Sequence, residues 1–109
     1  MQVRMHITEA GLAEAIKAYV ERRLRFGLAR FGRRVGQITV RIVADGQKDT
    51  RCRISVEILP FGHVAVEESD TDLFTAIDRA TGRIGRQFGR ELEHWSHSSH
   101  LTLQVHILR

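Results

Sequence analysis

The sequence has little cysteine, little proline and no long apolar run, and each shortage excludes a class of protein. Its 109 residues contain a single cysteine, Cys52, so no internal disulfide is available. One proline and a hydrophobic fraction of 42% argue against a disordered chain. No apolar run approaches the roughly 20 residues of a membrane span, and residues 1–7 lack the apolar segment of a secretory signal. We therefore expect one soluble, cytoplasmic domain with no membrane partner.

Lysine is also scarce, although the chain is basic. Lys17 and Lys48 are the only lysines among 17 basic residues, which face 13 acidic ones and leave a formal charge of +4. Arginine binds phosphate through two parallel hydrogen bonds, whereas lysine offers a point charge. An arginine-rich composition is also typical of GC-rich genomes, so composition alone suggests a polyanionic partner without establishing one.

Alternating apolar and polar residues predict four strands. The alternation covers residues 2–7, 37–44, 51–59 and 63–68. Short turns at residues 45–46 and 60–62 separate the last three strands, which indicates antiparallel hairpins. Each strand has one apolar face, so the sheet is expected to be covered on that face only.

Apolar residues at three- and four-residue spacing predict two helices. The first extends from about residue 12 to residue 31, with Ala13 as the favoured start and Gly32 at its end. The second covers residues 72–93, with Ser69 or Asp70 as its N-cap. The order β-α-β-β-β-α predicts a two-layer α+β sandwich, a four-stranded sheet packed on two helices.

Residues 94–109 differ from the rest of the chain and form a separate tail after the domain of residues 1–93. A Ser/His stretch is expected to break the second helix. Leu101, Leu103, Val105 and Ile107 then alternate with polar residues, which predicts an additional C-terminal strand. Such a strand would pair with a sheet edge in its own chain or in a partner's. In the second case the protein would form a homodimer through the tail.

Arginines on both helices are the main candidates for binding. On the second helix they occupy a stripe roughly 60° wide, nearly opposite the apolar stripe, and their mutual repulsion opposes helix formation unless an anion meets them. A solvated charged face is the alternative. Two helices side by side would merge their basic rows into a patch wide enough for an RNA backbone. The RNA-binding candidates are Arg22, Arg23, Arg25, Arg79, Arg83, Arg86 and Arg90.

Three glycines share a further face of the second helix. Gly82, Gly85 and Gly89 each disfavour helix by about 1 kcal/mol relative to alanine, so their common face indicates close approach of another backbone. Packing of the first helix is favoured over contact with a nucleic acid, because this face borders the apolar stripe.

The aromatic residues indicate how RNA would be recognised. Core periodicity largely accounts for Tyr19, Phe26, Phe31, Phe74 and Phe88. Base stacking is therefore not expected, and recognition of phosphates and of RNA shape is the better hypothesis.

No residue pattern typical of an enzyme is present. The histidines at 94, 97, 100 and 106 are joined by no cysteine or carboxylate in a recognised zinc pattern, so a surface tail is favoured over a metal site. Cys52 lies on the inward face of its strand, where a structural role outweighs a catalytic one. There is no nucleophile elbow, phosphate loop or carboxylate pair. We predict no catalysis, no metal, no cofactor and no small-molecule substrate.

Four segments resemble the short form of the ribosome hibernation-promoting factor family, also called ribosome-associated inhibitor proteins. They are MQVRMHI at the start, YVERRL at 19–24, RF at 30–31 and DLFTAIDRATGRIGRQ at 72–87. The last follows the family form of Asp, Leu or Met, Tyr or Phe, any residue, Ala, Ile and Asp, then basic residues and Gln. The similarity covers residues 1–93.

The resemblance implies translation inhibition without catalysis or cofactor. Members of this family bind the small ribosomal subunit in the channel of messenger and transfer RNA, and they keep idle ribosomes inactive under stress. The alternative is a general RNA- or protein-interaction module on the same fold that does not enter the ribosome. When the family motif is matched to this sequence, the resemblance assigns contact with ribosomal RNA to Arg22, Arg23, Arg79, Arg83, Arg86 and Arg90.

Overall fold

The chain forms a four-stranded sheet with two helices on one face, in the α+β order predicted from the sequence. The structure is a computed structural model that describes residues 1–8, 11–44 and 49–108, with side chains as far as His94. The elements are β1 (Gln2–Thr8), α1 (Ala13–Leu28), a 3₁₀ segment (Ala29–Arg34), β2 (Val35–Ala44), β3 (Thr50–Ile58), β4 (His63–Asp70) and α2 (Leu73–Leu108). The predicted turn at 45–46 lies outside the described residues.

The strands lie in the order β1-β2-β3-β4. β1 and β2 are parallel, with Met5 opposite Val40, so α1 carries the chain back along the sheet between them. The pairs β2-β3 and β3-β4 are antiparallel, as the short turns predicted. On the sheet face away from the helices, Arg41 lies directly opposite Arg53, and both are exposed.

Apolar residues from both layers meet in a single core. Alternate residues of β2, β3 and β4 are buried, and so are helix residues at three- and four-residue spacing. The largest buried side chain, Phe88, is fully inaccessible. The helix residues in this core are Ile16, Val20, Leu24, Leu28, Ala76, Ile77, Ala80, Ile84 and Phe88.

Asp72, rather than Ser69 or Asp70, caps α2. β4 continues to Asp70, two residues beyond its predicted end, which moves the helix start to Leu73. The Asp72 carboxylate accepts hydrogen bonds from the Thr75 amide at 2.9 Å and from the Thr75 hydroxyl at 2.7 Å. These bonds lower the pKa of Asp72, so its contribution to stability is lost as the pH falls through that lowered pKa.

The strand predicted in the tail is wrong, because the backbone of α2 continues as helix to Leu108. After Gly89 the sequence has no glycine or proline before the helix ends, and serine and histidine disfavour helix by only a few tenths of a kcal/mol. The alternating apolar residues of 101–107 favour a strand, but without a helix-breaking residue before them the helix continues. Neither helix, over the residues that the structure describes, combines the length and hydrophobicity required to cross a bilayer.

Cys52 is fully buried in β3, as predicted, and we expect its thiol to be unreactive in the native state. Burial raises the pKa of the thiol to about 12, so thiolate is about one part in ten thousand at pH 8. Because this pKa lies above the unfolded value, stability should fall as the pH rises from about 9 toward 12. Labelling with a disulfide reagent at pH 8 should be slow in buffer and fast in denaturant. Equal rates in both solutions would contradict the buried position.

Candidate nucleic-acid interface

Glycines allow the two helices to pack closely against each other. A Cβ atom placed on Gly85 would lie 3.1 Å from the carbonyl oxygen of Gly27. One placed on Gly89 would lie 3.3 Å from the ring of Phe31. Gly82 differs, because its nearest neighbour would be the end of the Arg86 side chain at 3.4 Å. The predicted packing of α1 on the glycine face is therefore confirmed for Gly85, whereas Gly89 packs against the 3₁₀ segment that follows α1.

An open groove of about 180 Å³, which we call the arginine groove, lies along this contact. Glycines line part of it and leave backbone accessible. Three arginines line it, and none of the described lining residues is acidic. The guanidinium carbon of Arg30 lies 4.7 Å from the centre of the Phe31 ring. The lining residues are Arg23, Phe26, Gly27, Arg30, Thr81, Gly82, Gly85 and Arg86.

Arg23 is held in place by a carboxylate on the neighbouring helix. Its Nε lies 3.4 Å from Oδ1 of Asp78, and the hydroxyl of Tyr19 donates a hydrogen bond to the same oxygen. This hydrogen bond is the main reason that the pKa of Tyr19 is raised, with burial second. Asp78 thus partly neutralises Arg23 and links α1 to α2 through two polar contacts.

The side chains of Arg79 and Arg83 extend toward β4 and form ion pairs with two of its carboxylates. Arg79 Nη1 lies 2.9 Å from Oδ2 of Asp70, and Arg83 Nη1 lies 2.5 Å from Oε2 of Glu68. All four side chains remain partly accessible, so each pair is worth about 0–1 kcal/mol. The anions that meet this half of the stripe are therefore the protein's own carboxylates.

The remaining predicted arginines are exposed. Arg22 lies with its guanidinium carbon 5.8 Å from the centre of the Tyr19 ring. Among the described side chains, no ion pair involves Arg25, Arg86 or Arg90. On α1, the side chains of Arg25 and Arg23 point in directions about 160° apart, so Arg25 points away from the groove. The structure thus brings Arg23 and Arg86 together and does not bring Arg25 to them.

Two groove residues are absent from the list of RNA-binding candidates. Arg30 belongs to the basic row of the first helix but was not chosen as a candidate, and the assignment of Phe26 to the core is wrong, because this residue is 88% exposed. The apolar residues of α1 recur at 16, 20, 24 and 28, a series that excludes position 26. Phe26 and Arg30 follow Arg23 by three and seven residues, so helical spacing could have placed all three on one face.

The histidine tail adds no metal site to the described part of the chain. His94 is exposed, and no group of three or more His, Cys, Asp or Glu residues there is arranged to hold a metal ion. The side chains of the histidines at 97, 100 and 106 lie outside the described residues.

Comparison with known proteins identifies the family of this chain. Its fold resembles that of the Thermus thermophilus Protein Y N-terminal domain, with a TM-score of 0.70 and 34% identity over 83% of this chain and 98% of that one. A ribosomal subunit interface protein from Coxiella burnetii has a TM-score of 0.70 at 12% identity, over 85% of this chain and 99% of that one, which shows the fold alone. No curated protein sequence matches. The model of the sigma 54 modulation protein / S30EA ribosomal protein family matches residues 3–95, so the chain belongs to this family of ribosome hibernation proteins.

Proposed function

We propose that this protein binds the small ribosomal subunit through the arginine groove and silences idle ribosomes by occupying the path of messenger and transfer RNA. The observation that carries the proposal is that Arg23, Arg30 and Arg86 line one groove, in which none of the lining residues that the structure describes is acidic. In a member of the S30EA ribosomal protein family, ribosomal RNA is the polyanion that such a groove would meet.

The mechanism is occupancy and requires no reaction. Guanidinium groups bind phosphate oxygens through paired, charge-assisted hydrogen bonds, which hold the domain on an RNA backbone. Counterions released from the RNA drive this binding, so it must weaken as the salt concentration rises. A domain held in the channel by these contacts excludes other RNA sterically. Arg79 and Arg83 would contribute less, because RNA would have to replace their ion pairs with Asp70 and Glu68. Arg23 is also paired, with Asp78, so Arg30 and Arg86 would contribute most.

Sedimentation with purified small subunits tests this proposal. The protein should travel with the subunits in a sucrose gradient at 50 mM salt, and its affinity should fall about tenfold or more at 200 mM. Subunits loaded beforehand with messenger and transfer RNA should bind much less protein. The double variant Arg41→Gln/Arg53→Gln, which removes two charges from the opposite face, should sediment like the parent.

Two results would contradict the proposal. Absence from the small-subunit fraction at low salt, together with binding to unrelated structured RNA, would favour the general RNA-interaction module. Equal binding to empty and loaded subunits would place the protein outside the channel.

A further inference from the structure

Phe26 is the least buried large apolar residue of the described part of the chain, and it lines the arginine groove. Its side chain is 88% exposed, whereas Leu24 and Leu28 on the same helix are buried. A ring left in water forgoes the stabilisation that burial would supply. Phe26 does not contribute to the core, and it lines the groove together with three arginines. A ligand with both an apolar ring and negative charge would contact all four side chains.

We propose that the arginine groove holds one unpaired nucleotide of an RNA strand, with its base stacked on the ring of Phe26 and its flanking phosphates on Arg23, Arg30 and Arg86. This inference rests on the proposed function and deepens it, because it adds a base contact to phosphate recognition. A stacked base must be free of its pairing partner, so the groove would select single-stranded RNA over a duplex.

The size and floor of the groove fit a single base. Its volume of about 180 Å³ lies below the roughly 300–1,000 Å³ typical of pockets for whole small molecules. Gly82 carries no side chain, and a Cβ atom there would meet only the flexible end of Arg86, so a flat ring can approach the backbone of α2.

The polar groups of the groove predict little preference among bases. Among the described residues that line it, none has an amide or carboxylate side chain to read a base edge. The hydroxyl of Thr81 already donates to the carbonyl oxygen of Ile77 at 2.8 Å. The surrounding charge comes from guanidinium groups, which bind phosphate and stack on any base, and which favour guanine only where they reach its edge. We therefore expect all four bases to be accepted.

Titration of the full chain with three RNA probes tests the inference. The probes are a ten-nucleotide uridine strand, an abasic strand of the same length and a blunt duplex. Phe26→Ala should weaken binding of the uridine strand roughly 5- to 150-fold, because stacking on one aromatic side chain is lost. The slope of log affinity against log salt should not change, since no charge is removed. Binding of the abasic strand and of the duplex should be unaffected.

Two further variants supply the controls. Phe61→Ala removes an aromatic side chain that is 68% exposed in the β3–β4 turn, and it should bind every probe as the parent does. Phe26→Trp in a Trp95→Phe background should restore affinity for the uridine strand, and its emission should be quenched by that strand only.

The outcomes separate this inference from the proposed function. Three results would overturn the stacking site. Phe26→Ala could lose affinity equally for the uridine and abasic strands, it could lose affinity for neither, or the parent protein could fail to bind the uridine strand. If the parent sediments with small subunits in that case, the proposed function stands. Conversely, base-dependent binding through Phe26 by a protein that never sediments with small subunits would retain the stacking site and overturn the ribosomal proposal.

Discussion

Replacing Arg30 and Arg86 with glutamine is expected to weaken binding to the small subunit by about 100-fold. A hydrogen bond to a charged group contributes about 1.5–3 kcal/mol, so each lost phosphate contact costs on the order of tenfold or more in affinity. Both residues line the arginine groove, and neither forms an ion pair with a described carboxylate. The slope of log affinity against log salt should fall by about two units, one for each contact.

The matched control removes the same charge from the paired half of the stripe. Arg79→Gln/Arg83→Gln deletes side chains that already bind Asp70 and Glu68, so affinity should fall much less than in the groove variant. The free energy of unfolding should decrease by up to about 1 kcal/mol for each pair. Affinity and urea unfolding should be measured on both double variants at two salt concentrations. A larger loss of affinity in Arg79→Gln/Arg83→Gln would contradict the assignment of the interface to the groove.

Substituting Gly85 with leucine is expected to cost about 1–3 kcal/mol of the free energy of unfolding. Leucine favours helix over glycine by nearly 1 kcal/mol, so α2 itself would gain. Its Cβ atom, however, would lie 3.1 Å from the backbone oxygen of Gly27, which cannot rotate away as a side chain can. The helices must then separate, and overpacking of this kind exceeds the gain in propensity. For a domain of this size, 1 kcal/mol shifts the melting temperature by about 4 °C.

Gly82 provides the control for this effect, because the same face of α2 is open there. Gly82→Ala meets only the end of the Arg86 side chain, so it should raise the free energy of unfolding by about 1 kcal/mol. Opposite signs in urea unfolding would confirm that α1 lies on Gly85 and not on Gly82. A stabilised Gly85→Leu variant would mean that the helices do not touch at Gly27.

Local periodicity was enough to determine the order of the four strands and two helices and most of their buried faces, but it failed for the tail and for Phe26. The start of α1 at Ala13, the antiparallel hairpins of β2, β3 and β4, and the burial of Cys52 all follow from the sequence. These features depend on the spacing of neighbouring residues, which is 2.0 for strands and 3.6 for helices. The packing of α1 against Gly85 also follows, because a glycine face next to an apolar stripe favours close contact between helices.

Only the tertiary structure decided which charges are available for a ligand. Arg79 and Arg83 share a stripe with Arg86 in sequence, yet β4 reaches one side of α2 and supplies Asp70 and Glu68 there. α1 reaches the other side, so Arg86 joins Arg23 in the arginine groove instead. Sequence spacing predicts only the angles of side chains around one helix. The ion-pair partner of an arginine depends on which element packs beside that helix, and Asp70 and Glu68 lie 9 and 15 positions away from Arg79 and Arg83 along the chain.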